Sequence, residues 1–157
     1  MEKETLQAYT RRVTQANRSE LIVILYELIL KDFEEAKQLE EGNNEYNKVL
    51  YHACKCVNEL INALDFQYEL SFQLMRLYRY VNDCIAKIKV RKDEKIIDSA
   101  INTIEGLRVA FVEVAKQDLT GPIMRNTEQV YAGLTYSRGT LNESRLMNAG
   151  KTRGFQA

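Results

Sequence analysis

The sequence predicts an all-α protein: an antiparallel four-helix bundle with an N-terminal arm and a C-terminal extension. Two observations carry this expectation. Apolar residues recur with a helical period in four successive stretches, the pattern of helices that each pack along one face. Breakers are scarce, with a single Pro and seven Gly that lie mostly late in the chain, so little interrupts long helices before that point.

Residues 1–16 are polar apart from Leu6, Tyr9 and Val13 and read as an arm or short helix. Asn17-Arg18-Ser19-Glu20 reads as a helix start, since Asn17 can cap and Glu20 follows three residues on. From there Leu21, Leu25, Leu28, Phe33 and Ala36 form one stripe, ending before Gly42-Asn43-Asn44. The second stripe is Val49, Ala53, Cys56, Val57, Leu60, Ile61 and Leu64, which stops near Asp65. The third is Leu70, Leu74, Leu77, Tyr78, Val81, Ile85 and Ile88, closed by the cation-rich Lys89-Val90-Arg91-Lys92-Asp93. The fourth is Ile97, Ile101, Ile104, Leu107, Phe111 and Val114, closed at Gly121-Pro122 because proline cannot continue a helix. Short turns between four such segments give antiparallel neighbours. The expected organisation is an arm over residues 1–16, a four-helix domain over 17–120 and an extension over 121–157.

The extension differs in character. It holds Gly133, Gly139, Gly150 and Gly154, and from Leu119 onward its basic residues outnumber its acidic ones by three. Tyr131, Leu134 and Tyr136 nevertheless form an apolar patch, so this segment is expected to be partly ordered or docked on the bundle, as a brace or an autoinhibitor, the alternative being a disordered extension.

Composition narrows the function. At 45% hydrophobic and 28% charged, the 157 residues suit one folded domain. Lys+Arg and Asp+Glu both number 22, so nothing marks a nucleic-acid footprint. The run Leu21-Ile22-Val23-Ile24-Leu25 is too short for a membrane span, and Met1-Glu2-Lys3-Glu4 leads into no signal-like apolar stretch. A cytosolic protein with three reduced cysteines is the expectation.

No catalytic constellation stands out, and no enzyme or cofactor is expected. His52-Ala53-Cys54-Lys55-Cys56 is the one cluster with ligand chemistry. Cys54 and Cys56 are two apart and point to nearly opposite faces of a helix, so they cannot share an ion. His52 and Cys56, four apart, can share one face, but two donors make an incomplete site, and no metal is expected.

Tyr26, Tyr46, Tyr51, Tyr68, Tyr78 and Tyr80 are spread over the helices, with Phe66 and Phe72 beside the second turn. Ile22 and Tyr26, and Leu50, Cys54 and Phe66, lie outside the main stripes. A second apolar edge suits a helix that covers a subunit or a client as well as its own core.

Gln7-Ala8-Tyr9, Val13, Ala16, Glu20-Leu21 and Leu25-Tyr26, then Leu64-Asp65, then Leu74, Leu77-Tyr78, Tyr80 and Asn82, and finally Leu107-Arg108 with Ala110-Phe111, occur in a telling order. Taken together, over about residues 6–118, they resemble the flagellin export chaperones, the FliS family. Arg18 stands where that family has a helix-opening proline, and Phe111 where it has tryptophan. The resemblance implies a chaperone of the bacterial cytosol that binds the C-terminal segment of flagellin, prevents its premature polymerisation and delivers it for secretion. It further implies a partner groove between the second and third bundle helices, with Val57, Ile61, Leu64, Leu74, Leu77 and Tyr78 as lining, and Leu6 and Tyr9 as a displaceable cap. Other flagellar export or regulatory proteins and a homodimer are compatible further partners. The rival reading is a self-associating helical structural or regulatory module without an export client.

Overall fold

A computed structural model describes residues 3–123. Five helices make up the described chain: α1 (Lys3–Gln15), α2 (Arg18–Gln38), α3 (Asn44–Asn62), α4 (Glu69–Val90) and α5 (Glu94–Gln117). No strand occurs among the described residues. Residues 17–120 form one compact unit and α1 belongs to another. Within the larger unit α2 packs on α3 and α5, and α4 also packs on α3 and α5. Each helix thus has two neighbours, the arrangement of a four-helix bundle.

The expected all-helical bundle is therefore found, but its faces are placed differently in α2. The core face of α2 is Tyr26, Ile29, Phe33 and Ala36, all fully buried, whereas Leu21, Leu25 and Leu28 are only half-buried. Tyr26, expected on a second edge, lies in the centre. The reason is local: residues 21–30 are apolar almost all round, so periodicity alone offers several faces. Contact with both α3 and α5 selects the one that is buried. In α3 the expected stripe holds from Val49 to Leu60, with Tyr46 and Leu50 added to the core. In α4 Leu70 and Leu77 drop out, and Ser71 and Cys84 enter. In α5 only Ile97, Ala100 and Ile104 are buried; Ile101, Leu107 and Phe111 pack partly, and Val114 is exposed.

Helix ends are held by side chains. Asn17 caps α2: its Oδ1 accepts from the Glu20 amide at 2.9 Å, and the Asn17 amide donates to Glu20 Oε2 at 3.1 Å. This reciprocal capping box satisfies two otherwise orphaned donors. Arg18 donates to the carbonyl of Ala63 at the end of α3, at 3.1 Å. Ser19 donates to Asp118 Oδ2 at 2.7 Å, which ties the start of α2 to the residue that ends α5. Hydrogen bonds from Thr120 and Ser19 hold the Asp118 carboxyl down at about 2. Asn17→Ala should lower unfolding free energy by about 1 kcal/mol, read as a lower urea midpoint with an unchanged slope.

At the other end Lys92 acts as a latch. Its Nζ donates to the carbonyls of Lys37 and Leu39, each at 2.7 Å, satisfying the C-terminus of α2. The same ammonium lies 5.9 Å from the Tyr46 ring centre. Gly42, at φ 77°, supplies the left-handed residue that the α2–α3 turn requires before Asn43 caps α3.

The core is rich in tyrosine, and each buried hydroxyl has a partner. Tyr26 and Tyr78 share a 2.6 Å hydrogen bond between their hydroxyls, and Tyr46 donates to the carbonyl of Ile88 at 2.7 Å. Phe111 sets its ring edge-on to Tyr26 at 5.6 Å.

Candidate partner-binding surface

The turn between α3 and α4 is built by short-range hydrogen bonds. Asp65 Oδ1 accepts from the Gln67 amide at 3.0 Å, and the Asp65 carbonyl accepts from the Tyr68 amide and from Ser71 Oγ. Ser71 is buried, so this small residue at the start of α4 closes the turn inward while its neighbours point out. The consequence is a concentration of apolar side chains in water. Phe66, Tyr68, Leu70 and Phe72 are each about half exposed or more, and the Phe66 and Phe72 rings meet at 5.2 Å between centres. Further along α4, Leu77 and Tyr80 are also exposed, the latter donating to Ser99 Oγ at 3.0 Å.

The sequence-derived lining residues divide in two. Val57, Leu74 and Tyr78 are core residues. Ile61 and Leu64 are half-buried and Leu77 is 38% exposed, so these three can meet a partner without unpacking the bundle. Phe66, Tyr68, Leu70 and Phe72 were not assigned to the groove, although two phenylalanines beside a turn were a signal for it. Of the cap residues, Leu6 is 56% exposed and Tyr9 half-buried, with the Arg12 guanidinium 5.7 Å from the Tyr9 ring centre. No described residue of α1 is buried. Tyr131, Leu134 and Tyr136 lie outside the described residues.

The His52 neighbourhood gains a third donor that the sequence reading did not pair with it. Asp32 of α2 faces His52 of α3, with Oδ2 to Nδ1 at 2.6 Å. Cys56 Sγ lies 3.9 Å from His52 Nε2, as the four-residue spacing allows. Burial pushes the Asp32 carboxyl up to about 6 against the opposing pull of His52, and burial, then the Asp32 charge, pushes the Cys56 thiol up to about 11.

No helix among the described residues is long and apolar enough to cross a membrane. A search of curated proteins finds no match. The family model of the flagellar protein FliS matches residues 1–118. The chain belongs to the FliS family. FliS proteins are flagellar export chaperones rather than enzymes, which bind flagellar export substrates. The matched segment spans all five helices of the fold just described and ends one residue after α5. The FliS match thus includes the exposed turn at 64–72.

Proposed function

We propose that this chain is a chaperone of the bacterial cytosol that binds the C-terminal segment of flagellin, keeps it from polymerising early and delivers it for secretion. The observation that supports the client most directly is the row of exposed apolar side chains at the α3–α4 turn, in a chain of the FliS family. Monomeric surfaces seldom keep four large apolar residues together unless something covers them. An amphipathic client helix docks such anchors at helical spacing. Phe66, Leu70, Phe72 and Leu77 provide the anchor points, and Ile61 and Leu64 the floor beside them. Leu6 and Tyr9 of α1 act as a displaceable cap.

Pull-down with a flagellin C-terminal peptide tests this reading. The full chain should bind, and a chain lacking residues 1–15 should bind at least as well, because α1 supplies no buried residue. Phe72→Ala should weaken binding about tenfold, the loss expected for one aromatic anchor. If neither the full nor the shortened chain holds the peptide, the client assignment fails. Concentration-dependent light scattering that ignores the peptide would instead favour the self-associating module.

A further inference from the structure

The geometry points to a site for one zinc-class divalent cation on the bundle, held by Asp32 of α2 and by His52 and Cys56 of α3. Carboxylate, imidazole and sulfur are the three donor types that zinc takes in proteins. The donor atoms, one from each residue, all lie within 4.8 Å of one another. Tetrahedral bonding at about 2.0–2.3 Å puts donors roughly 3.3–3.8 Å apart, so no pair needs to close by more than about 1–1.5 Å, and Asp32 Oδ2 and His52 Nδ1, now 2.6 Å apart, need to part slightly. The residue able to move is the right one: Asp32 and Cys56 are buried, whereas the His52 side chain is 47% exposed and can swing. That open side is also the entry path, and it leaves a fourth position to water.

Charge favours the same conclusion. Asp32 is a buried carboxyl group whose hydrogen-bond partner is His52. A dication with one carboxylate, one thiolate and one neutral imidazole sums to zero, which removes the cost of burying a lone charge. On binding, the Cys56 S–H bond breaks, sulfur keeps the electron pair to bond the metal, and the proton leaves to water. His52 gives up its hydrogen bond to Asp32, because the carboxylate and one ring nitrogen both turn to the ion. The ion would then clasp α2 to α3 on the bundle. Cys54 is excluded: it lies two residues from Cys56 on another face, where its Sγ accepts from Asn58 Nδ2 at 3.7 Å.

Cobalt(II) titration of the full, chelator-stripped chain under a non-thiol reductant tests the site. The expected result is one ion per chain with a sulfur-to-cobalt charge-transfer band and tetrahedral visible bands, both displaced by zinc. Cys56→Ser should abolish the charge-transfer band while Cys54→Ser keeps it. His52→Ala and Asp32→Asn should each weaken binding at least about tenfold, as loss of even a supporting group does. Zinc should raise the thermal midpoint of the wild type and leave that of Cys56→Ser unmoved. Unchanged far-ultraviolet dichroism in the variants separates ligand loss from unfolding. Absence of saturable cobalt binding, or a band that survives Cys56→Ser or disappears in Cys54→Ser, overturns the site, and the Asp32–His52 contact is then a hydrogen bond alone.

Discussion

Phe33→Ala should destabilise the bundle by about 3–5 kcal/mol, the range for emptying a large buried aromatic site. Phe33 has no exposed surface and sits in the core cluster among residues from all four bundle helices. The loss has two parts: the apolar surface no longer taken out of water, and a cavity that rigid helix ladders on every side cannot collapse into. Against a total of about 5–15 kcal/mol for an ordinary domain, this is a large fraction, and urea unfolding should show it as a much lower midpoint. Phe72→Ala provides the contrast. Phe72 is 55% exposed and its ring contact is with Phe66 at the surface, so truncation should cost about 1 kcal/mol or less. One phenylalanine should thus be lost from stability and the other from client binding. A Phe33→Ala protein as stable as wild type would mean that the core is not assembled as described.

Removing one hydroxyl of the Tyr26–Tyr78 pair should be worse than removing both. Tyr26→Phe strands the Tyr78 hydroxyl in the core, and Tyr78→Phe strands that of Tyr26, each at about 1–3 kcal/mol. The double variant leaves no orphan, so its destabilisation should fall well short of the sum. Additive single effects would show that the hydroxyls do not depend on each other. The same pair sets the alkaline limit. Burial, with the phenolic partner alongside, pushes Tyr26 above the usual tyrosine range, and burial does the same for Tyr78 despite the bond from Tyr26. Both folded values lie above the unfolded value of about 10, so the folded state binds these protons more tightly. Their contribution is complete below about pH 10 and is lost as pH rises beyond it. Phenolate absorbance from these two should therefore appear together with loss of helical dichroism, and the double phenylalanine variant should unfold at higher pH.

How much of this was legible in the residues varies by helix. In α3 the stripe from Val49 to Leu60 is cleanly separated by polar neighbours such as Lys48, Lys55 and Glu59, and the buried face follows it. In α2 the run from Leu21 to Leu30 contains a polar residue only at Glu27. Several faces then satisfy a helical period equally, and the choice of Tyr26 over Leu25 awaited the neighbours. The same limit applies to the partner surface. Val57, Leu74 and Tyr78 read as lining and fold as core, because an apolar stripe does not say which of its residues meets the chain's own helices. The Asp32 partner of His52 was hidden for a simpler reason: the two lie 20 residues apart on different helices.

The sequence by itself determined the helices and their number in the bundle, the capping box at Asn17, and membership of the FliS family through an ordered set of residues. These depend on local spacing, end chemistry and order along the chain, all of which one strand of residues carries. Only the tertiary structure decided that Tyr26 lies inside with its hydroxyl against Tyr78, that Phe66, Leu70 and Phe72 stay in water, and that Asp32 meets His52 and Cys56. Those outcomes depend on which face of each helix turns toward its neighbours. That rotation is set by packing all four bundle helices at once, and no single stretch of sequence encodes it.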